Sequence, residues 1–184
     1  MLTFIVMDLL QNLGALAIAA RMKRMSEAIM RSGQEVYRHY GIDFEPKWFP
    51  LFYYLSEKGE SGIMEIADGL KVTHPAIIQI AKELEKKGLI SSKKSKDDAR
   101  KRNLKLSKKG LELLPNMRKV WEEIREVNLK ILNNQETNLL KALEELENVW
   151  AEKDYLSHFR KFDFEVTLPA GKSVQIKELF TKKI

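Results

Sequence analysis

The chain has 184 residues, 44% hydrophobic and 32% charged, a balance that supports a buried core and excludes a disordered chain or a multi-span membrane protein. It contains no cysteine, which excludes disulfides, zinc fingers, iron-sulfur clusters and thiol redox sensing, and leaves the cytoplasm as the default compartment. The net charge of +6 is concentrated between Lys93 and Lys109, where nine basic residues stand against two acidic ones on an otherwise nearly neutral chain; such a patch suits a polyanion, because counterion release rewards clustered Lys and Arg.

The amino-terminal run Leu2 to Leu10 is apolar, but Asp8 interrupts it and Arg21, Lys23 and Arg24 follow it, the reverse of a secretory signal. Thr3, Asp8, Gln11 and Asn12 also disfavour a membrane span, so no membrane partner is expected. From Leu9 to Tyr40, apolar residues at Ile18, Met22, Met25, Ile29, Val36 and Tyr40 recur at helical spacing and predict one long helix ended by Gly41. Leu13, Leu16, Ala17 and Ala20 widen its apolar face beyond one stripe, and a small chain covers such a face with a second copy of itself. Residues 1–45 are therefore expected to form a dimerisation helix.

Pro46 and Pro50 break the chain before a short helix that starts near Leu51 and ends at Lys58-Gly59. The aromatic group Trp48, Phe49, Phe52, Tyr53 and Tyr54 reads as core, the alternative being a ligand pocket bounded by Trp48, Phe52 and Met22. Ser61 is placed to cap a helix carrying Ile63, Ile66, Ala67 and Leu70. A second helix begins at Thr73, His74 or Pro75, buries Ile77, Ala81 and Leu84, and stops at Gly88. Because a residue before proline avoids helical angles, His74 is a candidate cap with Pro75 as the first helical residue.

Leu89 to Lys94 and Asn103 to Leu106 alternate weakly around the polar run Ser95 to Arg102, a two-stranded ribbon with a charged tip. Ser107 precedes a helix with Leu111, Leu114, Met117, Val120, Trp121, Ile124, Val127 and Ile131 on one side and a kink expected near Pro115. After Asn133-Asn134, Leu139, Leu140, Leu143, Leu146 and Trp150 mark a last amphipathic helix. From Phe162 to Leu168 apolar and polar residues alternate, and beyond Pro169-Ala170-Gly171 a second run holds Val174 and Ile176, which predicts a hairpin or extended arm.

Two short helices joined by a tight turn and followed by a basic hairpin form an arrangement that sets one helix in the major groove while the hairpin reaches the backbone or minor groove. The fold class is thus mainly α with a small β wing: a winged helix-turn-helix over residues 46–110, flanked by N- and C-terminal dimerisation helices, the latter over 111–154, with a tail over 155–184.

Specific residues add a family likeness. Asp98-Ala99-Arg100, followed by Leu104-Lys105-Leu106-Ser107 and Gly110, resembles the D-x-R wing and L-x-L-S/T-x-x-G motif of the MarR family, and Ile66 to Ile90 is similar to its helix-turn-helix. The tail lies outside the resemblance. It implies a transcriptional regulator: a homodimer joined through its first and last helices, bound to a pseudo-palindromic stretch of double-stranded DNA and released by a small-molecule effector. Carried over by motif, Arg100 is the wing arginine near the minor groove and Asp98 the acid that orients the wing, while Thr73, His74, Pro75, Ala76 and Gln79 face the major groove. Lys82 is grouped with them. Lys93, Lys94, Lys96, Lys101 and Arg102 surround Arg100 and suit phosphates. Gln79 can bond bidentately to adenine and Thr73 can hold a phosphate, whereas His74 can cap, meet phosphate or stand exposed. The sequence departs from many relatives at Ile78, commonly polar, and at Gln79, commonly Arg.

His39, His74 and His158 lack metal-site spacing, and no Gly-rich phosphate loop, G-x-S-x-G or H-E-x-x-H motif is present. No metal, cofactor or catalytic residue is expected. Some sequences resembling this one continue into an acetyltransferase, but the stretch after Asp154 is shorter than an independent domain. The alternative function is that of an architectural protein binding DNA without sequence choice.

Overall fold

The computed structural model describes residues 8–94, 102–152, 155, 157, 165–167 and 173–175. It divides into two compact units, Met1–Ile124 and Arg125–Ile184.

The first unit opens with α1 (Leu9–Asn12), where Asp8 accepts from the Leu10 amide at 3.1 Å and pairs with Arg24 at 2.6 Å. The expected single helix from Leu9 to Tyr40 is interrupted. Gly14 has φ +54°, a left-handed angle that glycine alone adopts without a Cβ penalty and that an α-helical hydrogen-bond ladder cannot run through. A 3₁₀ turn (Gly14–Ala17) follows, and α2 (Ile18–His39) is the long helix proper. Of α2 only Tyr37 is buried; Ile18, Met22, Met25, Ile29 and Met30 are exposed.

A second 3₁₀ turn (Pro46–Trp48) leads into α3 (Phe49–Lys58), which begins before the expected Leu51 because Pro50 falls in the first turn, where its missing N–H loses nothing. Phe44 is the centre of the core, with edge-to-face rings of Tyr37, Trp48 and Phe52 at 5.1, 5.5 and 5.4 Å. Ser61 is not a helix cap. It is buried in a two-residue strand, β1 (Ser61–Gly62), opposite Leu104, and Gly62 takes the cap position with its amide donating to Glu65 at 3.2 Å.

Next come α4 (Ile63–Leu70) and α5 (His74–Lys86). Thr73, not His74, is the residue with extended cap angles, and its carbonyl accepts from Ala76 and Ile77. Pro75 is the second helical residue, still within the turn that needs no N–H. The predicted inner face of α5, Ile77, Ala81 and Leu84, is buried against the core. β2 (Ile90–Lys94) and β3 (Arg102–Leu106) pair antiparallel from Ile90↔Leu106 to Lys94↔Arg102, and the sheet order is β1-β3-β2.

α6 (Lys108–Asn133) starts at a junction that explains the serine and glycine of the wing motif. Ser107 Oγ donates to the Gly88 carbonyl at 2.6 Å and accepts from the Gly110 amide at 3.0 Å, while the Ser107 amide donates to the Leu89 carbonyl at 3.0 Å. Gly110 lies so close that a Cβ there would stand 2.2 Å from the Leu89 carbonyl oxygen. Further along, Met117 and Val120 are buried and the Trp121 indole donates to the Tyr37 hydroxyl at 3.1 Å. The Tyr40 hydroxyl donates to Glu123, whose carboxylate pushes the Tyr40 pKa up. Leu111, expected on the inner stripe, is exposed.

In the second unit Val127, Leu129 and Ile131 of α6 are exposed, and α7 (Leu139–Glu152), entered through an Asn138 cap on the Lys141 amide at 3.0 Å, buries no residue. The expected hairpin is present as β4 (Glu165–Thr167) and β5 (Ser173–Gln175), with Val166 opposite Val174. No helix among the described residues is long and apolar enough to cross a membrane.

The Gly110 contact is with backbone, which cannot rotate aside as a side chain would. Gly110→Ala is expected to destabilise the first unit by about 2–3 kcal/mol, read as a lower urea midpoint at unchanged slope.

Candidate nucleic-acid interface

The turn between α4 and α5 is three residues long. Lys71 adopts φ 53°, and the Val72 amide returns to the Ala67 carbonyl at 3.0 Å, closing the end of α4. α5 then leaves the turn with Ile77, Ala81 and Leu84 inward and Thr73, His74, Pro75, Gln79 and Lys82 exposed together; Ala76 and Ile78 are half-buried.

The flanks of α5 sort its charges. Glu83 accepts from the Trp48 indole at 2.7 Å and pairs with Lys47, also at 2.7 Å, while Lys47 reaches Glu45 at 3.0 Å. These partners, Lys47 first and Trp48 second, hold the Glu83 carboxyl below its ordinary pKa, and Gln79, one turn earlier, adds a weaker hydrogen bond. Glu85 pairs with Arg102 at 3.0 Å. Lys87 pairs with Asp43 at 2.5 Å and lies 5.9 Å over the Trp48 ring. Both acids in the second half of α5 are thus neutralised sideways. Among the described residues no carboxylate pairs with Lys82 or Lys86, so the outward face keeps its positive charge.

On the wing, Lys93 is exposed on β2 and Lys94 ends that strand. Arg102 begins β3 and donates to Glu85 and, at 2.6 Å, to Ser92 Oγ. Lys96, Asp98, Arg100 and Lys101 lie outside the described residues. The structure therefore brings the α5 residues together at one surface beside the root of the wing. Trp48 and Phe52 sit inside the aromatic core, and Met22 is exposed on α2, outside that cluster.

Sequence reasoning missed the Glu83–Lys47–Trp48 and Glu85–Arg102 contacts. The partners are 35 and 17 residues apart, and only the presence of acids on a helix expected to meet a polyanion hinted at them.

Residues 41–101 match the MarR family model. Solved structures share the fold over most of their own length. MosR of M. tuberculosis, a transcriptional regulator solved in complex with DNA, is 16% identical with a TM-score of 0.61, covering 73% of this chain and 96% of its own. MepR of S. aureus, also a DNA complex, is 18% identical with a TM-score of 0.57 over 73% of this chain and 96% of its own. BpsR of Bordetella bronchiseptica, whose DNA binding is regulated by 6-hydroxynicotinic acid, is 14% identical with a TM-score of 0.57 over 74% and 94%. No curated protein sequence matches the chain.

The Glu83 contacts carry a pH signature. A carboxyl whose folded pKa is depressed contributes stability that is complete above its unfolded value, near 4.5, and is lost as pH falls through the lower folded value. Glu83→Gln is expected to lower the melting temperature at pH 7 and to narrow the difference from the parent at pH 3. Paired thermal melts at the two pH values read this, and an equal deficit at both would reject an ionic role for Glu83.

Proposed function

We propose that this chain, whose residues 41–101 carry a MarR-family winged helix-turn-helix, is a cytoplasmic transcriptional regulator that binds double-stranded DNA with sequence choice, and not an enzyme. The observation that carries this reading is the sorted surface of α5: Thr73, His74, Pro75, Gln79 and Lys82 exposed along one face while Glu83 and Glu85 are tied to cations at its flanks. α5 enters the major groove. Gln79 reads a base edge, Thr73 and Lys82 hold phosphates, and the wing, through Arg100 with Lys93, Lys94, Lys96 and Lys101, supplies charge along the backbone and narrow groove.

The protein acts as a homodimer on a pseudo-palindromic operator. Ile18, Met22, Met25, Ile29 and Met30 on α2, with Val127 and Ile131 on α6 and Leu139, Leu140 and Trp150 on α7, expose more large apolar side chains than scattered surface residues account for, and a second copy covers them. A small ligand tuning DNA binding, as in BpsR, is the regulation this reading favours.

Selection of bound fragments from a random DNA pool tests sequence choice and reveals half-site spacing; enrichment of no sequence would favour an architectural binder instead. Light scattering at micromolar concentration should give twice the 21.4 kDa protomer mass. On the selected operator, Gln79→Ala is expected to cost about 1–3 kcal/mol while sparing random DNA and the salt slope. Arg100→Ala should weaken operator and random DNA together and flatten the salt dependence. Titrations of both variants at several salt concentrations separate base reading from phosphate binding, and a uniform loss for Gln79→Ala would remove it from the reading surface.

A further inference from the structure

We propose that Arg102 and Glu85 form a brace that sets the angle of the wing against α5, so that Arg102 is a positioning residue and not one of the phosphate contacts. The proposal rests on the DNA-binding reading above. The Arg102 guanidinium donates to Glu85 Oε1 at 3.0 Å and Oε2 at 3.3 Å and to Ser92 Oγ at 2.6 Å. One side chain therefore joins β3, on which it lies, to β2 and to α5.

Its position makes that junction matter. Arg102 faces Lys94 in the last strand pair before the tip of the wing. The ladder from Ile90↔Leu106 to Lys94↔Arg102 fixes the two strands to each other but leaves their inclination to α5 to side chains. Residues 95–101, which include Arg100, join the two strands in the sequence directly after this pair, so the inclination of the strands at their root bears on where the connecting residues meet DNA. Glu85 is the second half of the argument. A carboxylate between a reading helix and a wing repels phosphates, and its presence there is offset only if it does something local. Arg102 occupies it through Nη2, which makes all three contacts, and its positive charge is already balanced by Glu85 rather than left for a phosphate.

The two assignments predict opposite signs. If Arg102 served a phosphate, Glu85→Ala would delete a repulsive charge, free Arg102 and tighten every DNA. With a brace, Glu85→Ala weakens the selected operator by up to about five-fold, the scale of a half-exposed ion pair, and leaves random DNA bound no more weakly. Adding Arg102→Ala to Glu85→Ala then changes neither affinity nor salt slope, whereas loss of a phosphate contact would reduce the slope by about one. The exchanged pair, Glu85→Arg with Arg102→Glu, should recover operator affinity and guards against either single variant merely loosening the fold. The experiment is a double-mutant cycle on the full chain, titrated against selected operator and random DNA at several salt concentrations. Tighter operator binding by Glu85→Ala, or a further loss with a reduced slope in the double variant, would overturn the brace while leaving the DNA reading intact. Failure of the unaltered protein to bind either DNA would overturn the reading and the brace with it.

Discussion

A buried tryptophan needs an acceptor for its indole N–H, because an unpaired polar group in a core costs more than the hydrogen bond returns in water. Trp48 is 2% exposed, and its acceptor is Glu83, 35 residues away in sequence but 2.7 Å away in space. That requirement fixes which way α5 faces. With Glu83 directed at Trp48, the i−6, i−2 and i+1 positions Ile77, Ala81 and Leu84 turn into the core around Phe44 and Phe52, and Thr73, Pro75, Gln79 and Lys82 turn out. Lys47 and Lys87 gather on the same seam, one to neutralise Glu83 and the other to pair with Asp43 over the Trp48 ring. Apolar burial supplies most of the energy, but it is indifferent to small rotations of a helix; the charged seam is directional and is not.

The helix-turn-helix and the hairpin were legible because their signals are local. Ile77, Ala81 and Leu84 repeat at helical spacing, the stops at Gly41, Gly59 and Gly88 all have positive φ, and the ribbon is a short alternation around a polar run. The features that escaped are those whose cause lies elsewhere in the chain. β1 has two residues, too few to alternate, and exists because β3 offers it a ladder; Ser61 therefore read as a cap. The interruption at Gly14 leaves no mark on the apolar periodicity, which continues on either side of it and carries no information about a backbone angle. Leu111 belongs to the apolar period of α6 yet is exposed, because the core at the start of that helix is filled by Leu89, Leu106 and the close approach of Gly110. Of the candidate site, the exposed positions on α5 were readable as the complement of its buried face; the partners of its acids were not.

The apolar residues that α2 leaves outside the core have a common character. On α2 they are Ile18, Met22, Met25, Ile29 and Met30, flexible or slender side chains, and methionine adapts its shape to a partner better than branched or aromatic residues do. By contrast the inside of the unit is ring against ring at fixed edge-to-face angles. A rigid aromatic nucleus underlies α5, and on the proposed reading the adaptable stripe of α2 is where a second copy is accommodated.

On the proposed reading α5 meets a polyanion, and yet it carries Glu83 and Glu85. Bare, each would subtract from the attraction that Lys82 and Lys86 provide. Paired at 2.7 and 3.0 Å with Lys47 and Arg102, each becomes one end of a short dipole, and at physiological salt, where screening sets in over about 8 Å, a dipole of that length contributes little at the distance of a phosphate. The cations that do the neutralising come from the 3₁₀ turn and from the wing, so each acid converts a mobile positive side chain into a tie between α5 and a neighbouring element. Charge is taken from the outer surface only where it gains orientation in return. On the proposed reading that exchange is favourable, because recognition of a base edge by Gln79 would depend on accurate placement, whereas attraction to phosphates, being long-ranged and non-directional, would lose little from two neutralised cations.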